Sequence, residues 1–285
     1  MSGIEAQVVE WGFGVALAVM ACGVAAGLLR GRRQAAGGGT CGRVAPPGIL
    51  WADLAGVAAV AAVYFGFHWL GRQVAEPAGA EPSITADGLA ASVFAQVMIL
   101  VMVVLVIRPR CRPGEFFGLR WPAWPWVFLI GPAGTLAAWA VVGALQLGGY
   151  FGWMQERIGA PALQESVATL RESGDPLLLA LMAVAAVVAA PLCEEAVFRG
   201  YVYPVIKRFG GLPAAACGSA LLFAAAHNHA VGMLPLAALG LILVAAYELT
   251  GSLWAPIAIH ACFNGATVGL TLLARALNLP LEVPS

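Results

Sequence analysis

Two adjacent carboxylates and an arginine end a long apolar run at positions 191–200: Glu194, Glu195 and Arg199. Ionisable side chains in a membrane-length apolar segment are costly, so by default they indicate a functional site. On a helix, Glu195 and Arg199 lie four residues apart on one face, which favours an ion pair. Glu194 points about 100° away from Glu195, so we expect Glu195 to stay ionised against Arg199 while Glu194 acts as a base. The alternative is a buried ion pair that only fixes helix packing.

A histidine further along the chain is expected at the same depth as Glu194. Gly210 and Gly211 predict a turn between two helices, with Glu194 before the turn and His227 after it. Each lies about 16 residues, or about 24 Å of helix, from the turn. A single histidine on an apolar helix can also be a packed core residue. His229, two residues on, is predicted to point elsewhere and to have a secondary role.

The last apolar segment adds two hydrogen-bonding side chains, His260 and Asn264, on one helical face because they are four residues apart. Polar groups on an otherwise apolar face suit an inward-facing polar site. The alternative is an interhelical hydrogen-bond pair that holds the bundle together. Of the other intramembrane polar residues, Asp53 and His68 can be structural, interfacial or substrate-facing, whereas Glu248 lies at a predicted span end where snorkelling explains it.

Composition identifies the elements that must position these residues. The 285-residue chain is 61% hydrophobic and 11% charged, with a mean hydropathy of +0.85. A soluble domain carries about twice that share of charge, and several apolar runs reach the roughly 20 residues that span a bilayer as helix. The formal net charge of zero leaves no basic face for phosphates and argues against a nucleic-acid partner.

The sequence therefore predicts an all-α fold: a polytopic membrane helical bundle of about eight transmembrane helices around an intramembrane polar active-site cavity. We expect N-terminal spans and loops over 1–123 and a catalytic core over 124–285. The acidic start lacks the positive region of a signal peptide, so we expect the first span to be retained. The predicted spans are 10–29, 49–70, 88–107, 124–147, 176–198, 212–229, 231–249 and 253–274.

The basic residues predict an orientation, because cytoplasmic loops carry an excess of Lys and Arg. With eight spans, the larger group falls on one side, which we expect to be cytoplasmic, with both termini outside. We expect a multi-pass protein of a bacterial cytoplasmic membrane. The larger group is Arg30, Arg32, Arg33, Arg43, Arg108, Arg110, Arg112, Arg120, Arg199, Lys207 and Arg208. The smaller group is Arg72, Arg157, Arg171 and Arg275.

Three motifs occur together in the order and rough spacing of one superfamily. They are Glu194-Glu195-x-x-x-Arg199-Gly200, Phe223-x-x-x-His227 and His260-x-x-x-Asn264, the last preceded by Gly251-Ser-Leu-Trp-Ala-Pro-Ile-Ala-Ile. In these motifs the chain resembles the CAAX-processing and bacteriocin-processing intramembrane proteases, which include the eukaryotic CAAX prenyl protease type 2. The resemblance covers about residues 176–270, whereas the first four spans match only in character.

The resemblance and the chemistry of peptide hydrolysis imply the same roles. Hydrolysis needs an activated water and hydrogen-bond donors for the developing oxyanion. Glu194 and His227 are expected to hold and deprotonate the water, after which Glu194 protonates the leaving amine. His260 and Asn264 are expected to donate to the oxyanion. The neighbouring Glu195–Arg199 ion pair supports the helix and tunes Glu194.

Whether a metal takes part is left open by the sequence. Glu194, His227 and His260 could form a zinc site of two histidines and one carboxylate with an open position for water. No His-Glu-x-x-His motif is present, and Asn264 is better suited to be an oxyanion donor. We favour a mechanism with no cofactor, with zinc as the alternative.

The substrate class expected from the resemblance is a membrane-anchored or lipid-modified polypeptide, cleaved near its C-terminus within the lipid bilayer. Two other function classes compete with an endopeptidase. A catalytically silent relative could act as a membrane scaffold or bacteriocin-immunity protein, although its motif residues are intact. A transporter with an ion-coupled intramembrane carboxylate would be expected to show paired broken helices or an internal repeat, and neither is apparent in the sequence.

Overall fold

A computed structural model describes residues 3–31, 43–74, 84–159 and 163–278, and within these ranges the chain forms helices and no strand. Seven helices are long and apolar enough to cross a membrane, judged by length and composition. The predicted all-α, polytopic bundle is thereby confirmed. The main helices are α1 (Gly3–Gly31), α2 (Asp53–Val74), α3 (Ala86–Ile107), α4 (Val127–Leu147), α5 (Tyr150–Ile158), α6 (Glu165–Glu172), α7 (Pro176–Gly210), α8 (Leu212–Ala226), α9 (Met233–Thr250) and α10 (Trp254–Ala276).

Several of the eight predicted spans have different boundaries in the structure: the span predicted at 10–29 is Gly3–Gly31, and the span predicted at 49–70 is Asp53–Val74. The span predicted at 176–198 continues as α7 for 35 residues to Gly210. Its charged residues do not end the helix, because Glu195 and Arg199 pair with each other inside the bundle. The span predicted at 212–229 is α8, a helix of only 15 residues, which leaves seven helices of spanning length.

Helix α7 contains two π-helical segments, Ala185–Ala189 and Phe198–Val202. Each ends within two residues of a proline, Pro191 or Pro204. Proline has no backbone N–H to continue the ordinary helical hydrogen-bond pattern, and a π segment is a local widening that occurs often at functional sites. The two π segments bracket the short stretch Ala190–Val197, which carries the paired glutamates and is buried except at Ala190 and Leu192.

Helix α1 lies against the α7–α8 hairpin through small residues. The hairpin turns at Gly211, whose φ of 83° suits a residue without a side chain. A Cβ atom at Gly27 would overlap the carbonyl oxygen of Phe209, and one at Gly23 would overlap Ala214. The backbones of α1 and the hairpin therefore approach each other as closely as small residues allow in membrane helix pairs.

Replacing Gly27 by Ala is expected to destabilise the protein by about 1–3 kcal/mol, because the added methyl group has no space. Gly14→Ala is the matched control, since no atom lies within 4 Å of a Cβ atom placed at Gly14 of the same helix. Thermal unfolding of the two variants in the same detergent checks this. Equal melting temperatures would contradict the close packing of α1.

Partly buried ion pairs close one end of the bundle. Arg110 donates to both carboxylate oxygens of Asp53 at 2.6 Å, and the hydroxyl of Tyr201 donates to the same carboxylate at 3.2 Å. Lys207 donates to Glu248 at 2.5 Å. Asp53 is therefore structural, and Glu248 does not snorkel to the surface as expected but pairs with a lysine on a neighbouring helix.

The structure gives positions for some of the basic residues on which the predicted membrane orientation depends. Arg43, Arg110 and Lys207 take part in contacts at the end of the bundle just described. Arg199, counted with the loop residues in the sequence, is fully buried inside the bundle, because Glu195 neutralises it. Arg32 and Arg33 lie outside the described residues.

The described residues between α4 and α7 form two short helices, α5 and α6. They lie at the end of the bundle away from the Asp53–Arg110 pair, because α5 follows α4 directly and α6 packs against α10. The loop after α8, residues 227–232, lies at this end too, since the hydroxyl of Tyr150 on α5 donates to the carbonyl oxygen of Val231 at 3.2 Å. This end of the bundle therefore holds His227.

Candidate active site

The base predicted at Glu194 lies beside His227, as the hairpin geometry implied. The Nε2 atom of His227 is 3.8 Å from the Oε2 atom of Glu194, and Glu194 is only 8% exposed. The Nδ1 atom of His227 is 2.8 Å from the carbonyl oxygen of Phe223. A carbonyl only accepts, so Nδ1 carries a proton and Nε2 of a neutral ring faces Glu194 as an acceptor.

His227 is the first residue after α8 and not part of a longer span, because the next residue, Asn228, has a φ of 53°. Asparagine is among the few residues that adopt this left-handed conformation and end a helix. Its Oδ1 atom is 2.9 Å from Nδ1 of His68 on α2, and His68 is buried. His68, which the sequence left open between several roles, therefore holds the turn that presents His227.

The second glutamate lies in a fully buried charge cluster. Glu195 Oε1 accepts from Arg199 Nη1 at 2.9 Å and from His260 Nδ1 at 2.8 Å, and Glu195 and Arg199 are both 0% exposed. Arg199 Nη2 also donates to the carbonyl of Gly240 at 3.3 Å, and its guanidinium lies 4.2 Å from the centre of the Phe223 ring. Glu195 thus joins α7 to α10 in addition to pairing with Arg199.

Asn264 is held by the first π segment of α7. Its Nδ2 atom donates to the carbonyl oxygen of Ala186 at 2.8 Å. A π segment shifts the backbone hydrogen-bond pattern and leaves a carbonyl for a side chain to satisfy. Because the amide nitrogen carries two hydrogens, one remains for another acceptor.

A cavity of about 460 Å³ brings the predicted site residues together, since Glu194, His227, His260 and Asn264 all line it. His229, predicted to be secondary, is buried and lines the same cavity. Most of the remaining wall is apolar and comes from α3, α4, α6, α7, α9 and α10. A second cavity of about 410 Å³, with walls from α2, α3, α7 and the end of α8, also borders Glu194 and His227.

One site residue was missed in the sequence: Gln96, on α3. Its Nε2 atom donates to Oε1 of Glu194 at 3.3 Å, and Gln96 lines both cavities. The available signal was a single amide side chain within the apolar run of α3. A buried amide in such a run needs hydrogen-bond partners, which could have marked it.

The alternative zinc site needs Glu194, His227 and His260 to converge on one point. Within the described ranges, no group of three His, Cys, Asp or Glu side chains is arranged to hold a metal ion. The Nδ1 atom of His260 bonds to Glu195 and that of His227 to a carbonyl oxygen, and metal-ligating histidines make the same bonds while Nε2 holds the metal. The zinc alternative therefore stays a prediction.

Comparison with known proteins agrees with the geometry. The family model described as type II CAAX prenyl endopeptidase Rce1-like matches residues 176–266, which include the four predicted site residues and the Glu195–Arg199 pair. No curated protein and no solved structure matches the chain. Gln96 and His68 lie on α3 and α2, which the family model does not cover. The chain is thus a multi-pass membrane protein whose segment 176–266 is similar to the Rce1-like type II CAAX prenyl endopeptidases.

Proposed function

We propose that the protein is an intramembrane endopeptidase that hydrolyses peptide bonds near the C-terminus of membrane-anchored or lipid-modified polypeptides. The observation that carries this proposal is the pair Glu194 and His227, whose Oε2 and Nε2 atoms face each other at 3.8 Å beside a largely apolar cavity. The family match supports endopeptidase chemistry at the coarser level.

The geometry of this pair suits a nucleophilic water. At 3.8 Å the two atoms are too far apart for a direct hydrogen bond, and an ionised carboxylate and a neutral Nε2 are both acceptors. A water molecule that donates one hydrogen to each satisfies both atoms. Its oxygen lone pair then points away from the two acceptors, toward a substrate carbonyl in the cavity.

The reaction proceeds in two steps, attack by the water and collapse of the tetrahedral intermediate. The water oxygen bonds to the scissile carbonyl carbon while Glu194 takes one of the water's protons. The tetrahedral intermediate collapses with loss of the C–N bond, and Glu194 passes its proton to the leaving amine. The polypeptide is thereby divided into a fragment with a new carboxylic acid, which keeps the second proton of the water, and a fragment with a new amine.

The oxyanion of the intermediate is stabilised by α10. The second hydrogen of Asn264 Nδ2 is not used by Ala186 and is available as a donor. Nε2 of His260 donates when its ring is doubly protonated, with the Glu195 carboxylate at Nδ1 as counter-ion. Donors fixed in advance are effective because no reorganisation is needed during the reaction.

The apolar wall of the larger cavity supports an apolar or lipid-bearing substrate. The site lies at the end of the bundle away from the Asp53–Arg110 and Lys207–Glu248 pairs. With that basic end in the cytoplasm of a bacterial cell, the site belongs to the outer half of the cytoplasmic membrane. Labelling of single cysteines introduced near Gly210 and Gly251 checks this orientation.

The proposed reaction uses no metal ion, since Glu194 and His227 together activate the water and Asn264 supplies a donor to the oxyanion. We expect cleavage by the purified protein to continue at the same rate after dialysis against a zinc chelator. Metal content measured on the same active sample should be well below one zinc per chain. Stoichiometric zinc whose removal abolishes cleavage would contradict this part of the proposal.

The function itself is tested with purified protein in lipid nanodiscs and a farnesylated peptide that ends in a CAAX sequence. We expect mass spectrometry to show loss of the C-terminal residues with the wild-type chain and with Glu156→Gln, an exposed control on α5, but not with Glu194→Gln. A peptide that binds the wild-type chain and is never cut would favour the scaffold hypothesis.

A further inference from the structure

The side-chain amide of Gln96 is only half satisfied. Its Nε2 atom donates to Glu194 at 3.3 Å, whereas its Oε1 atom is buried and has no hydrogen-bond partner within the described structure. A buried acceptor without a donor carries an uncompensated desolvation cost. Because the Oε1 atom of Gln96 lies next to the catalytic base, we expect the substrate to supply the missing hydrogen-bond donor.

The orientation of this amide is fixed by its neighbour. An ionised Glu194 only accepts hydrogen bonds, so the Gln96 amide cannot turn over without placing its oxygen against the carboxylate. Helix α3 packs directly on the Glu194 segment of α7. The Oε1 atom of Gln96 is thereby held as an acceptor beside the reacting water.

Gln96 also stands where the two cavities meet. Gln96, Glu194 and His227 line both the 460 Å³ and the 410 Å³ cavity. A polypeptide whose scissile bond lies against Glu194 has one flank on each side of that bond, and the two cavities provide space for both flanks. The substrate backbone that connects the two flanks passes Gln96. The donor that every polypeptide carries there is a backbone N–H.

We propose that Gln96 is a substrate-binding residue: its Oε1 atom accepts a backbone N–H of the polypeptide next to the scissile bond, while its Nε2 atom holds Glu194. This inference rests on the proposed endopeptidase function and adds a residue from outside the family match. Because N–H groups recur at fixed intervals along an extended backbone, the bond also sets which carbonyl lies at the Glu194 water.

The test uses the farnesylated CAAX peptide and a set of its ester analogues. In each analogue one backbone N–H near the scissile bond is replaced by an ester oxygen, and the scissile amide is kept. For the wild-type chain, we expect one ester position to lower kcat/KM by at least about fivefold, since the donor to Gln96 is lost. For Gln96→Met, which has a similar shape and no acceptor oxygen, the same ester position should have no further effect.

Gln146→Met is the matched control. The Oε1 atom of Gln146 is likewise buried without a partner, but Gln146 lines neither of the two cavities. This variant should keep the wild-type sensitivity to the ester. An ester effect of equal size in the wild-type chain and in Gln96→Met overturns the inference, while cleavage of the all-amide peptide leaves the proposed function standing. No cleavage of the all-amide peptide by the wild-type chain overturns the proposed function itself.

A binding measurement keeps the inference testable if Gln96→Met cleaves too slowly to measure. With the scissile amide replaced by an uncleavable methylene-amine bond, Glu194 is kept, and the dissociation constants of the otherwise all-amide peptide and of the ester peptide can be compared with and without Gln96→Met. We expect the ester to weaken binding only where Gln96 is present. Equal weakening in both backgrounds overturns the assignment, because a purely structural role of Gln96 would not depend on one substrate N–H.

Discussion

Replacing Glu194 by Gln is expected to lower the rate of peptide hydrolysis about 10²–10⁴-fold, the usual contribution of a general base. The amide of glutamine cannot take the proton of the water or return it to the leaving amine. Its oxygen can still accept the hydrogen bond from Gln96 that Glu194 accepts at 3.3 Å. The folded structure should therefore survive, and steady-state kinetics with a fixed peptide measures the loss as a fall in kcat.

Two controls separate chemistry from folding in this experiment. The melting temperature of Glu194→Gln should match that of the wild-type chain, and Glu156→Gln on the surface of α5 should keep full activity. A Glu194→Gln variant that hydrolyses the peptide at the wild-type rate would show that Glu194 is not the base.

Replacing Arg199 by Met is expected to have the largest effect on stability. It leaves the Glu195 carboxylate, which is 0% exposed, with only His260 as a partner. Removal of one member of a buried ion pair costs about 3–5 kcal/mol, because the remaining carboxylate has lost its guanidinium partner and is not solvated. Chemical unfolding in detergent, compared with the wild-type chain, measures this cost.

The matched control removes both charges. In Glu195→Gln with Arg199→Met no unpaired charge is buried, so the double variant should be more stable than Arg199→Met alone. Residues in direct contact are expected to give such non-additive changes in the free energy of unfolding. If the two single changes add up in the double variant, the ion pair does not fix the bundle as the structure implies.

What could be predicted from the sequence depended on local helical geometry. Glu195 and Arg199 are four residues apart, so their pairing follows from the helix alone. Glu194 and His227 are related by one hairpin, and equal helix lengths on either side of Gly211 place them at the same depth. For such residues, a periodic pattern and one turn are enough to indicate neighbours.

Contacts between distant helices could not be predicted in this way. Glu195 and His260 are 65 residues apart and meet only because α7 packs on α10. The bond from Asn264 to Ala186 depends on a π segment, which helical periodicity does not anticipate. Gln96 lies on a helix outside the motifs, and a single amide side chain in that helix does not indicate a contact with Glu194.

The span boundaries show the same limit. Charge and Gly-Gly signals place the turn at Gly211 but not the end of α8, since apolar residues resume at Ala230 and Val231 directly after the polar positions 227–229. That helix ends at Ala226 because Asn228 adopts a left-handed conformation and bonds to His68 on α2. The contact that ends it comes from an N-terminal span, which sequence periodicity near His227 does not contain.

The most direct test of the proposed endopeptidase is the set of C-terminal peptides of membrane proteins in two otherwise identical cell populations. One population expresses the wild-type chain and the other expresses Glu194→Gln at the same level. We predict a defined group of membrane-anchored or lipid-modified proteins with shortened C-termini in the first population and intact C-termini in the second. Identical C-terminal peptides in both populations would contradict an intramembrane peptidase that uses Glu194 as its base.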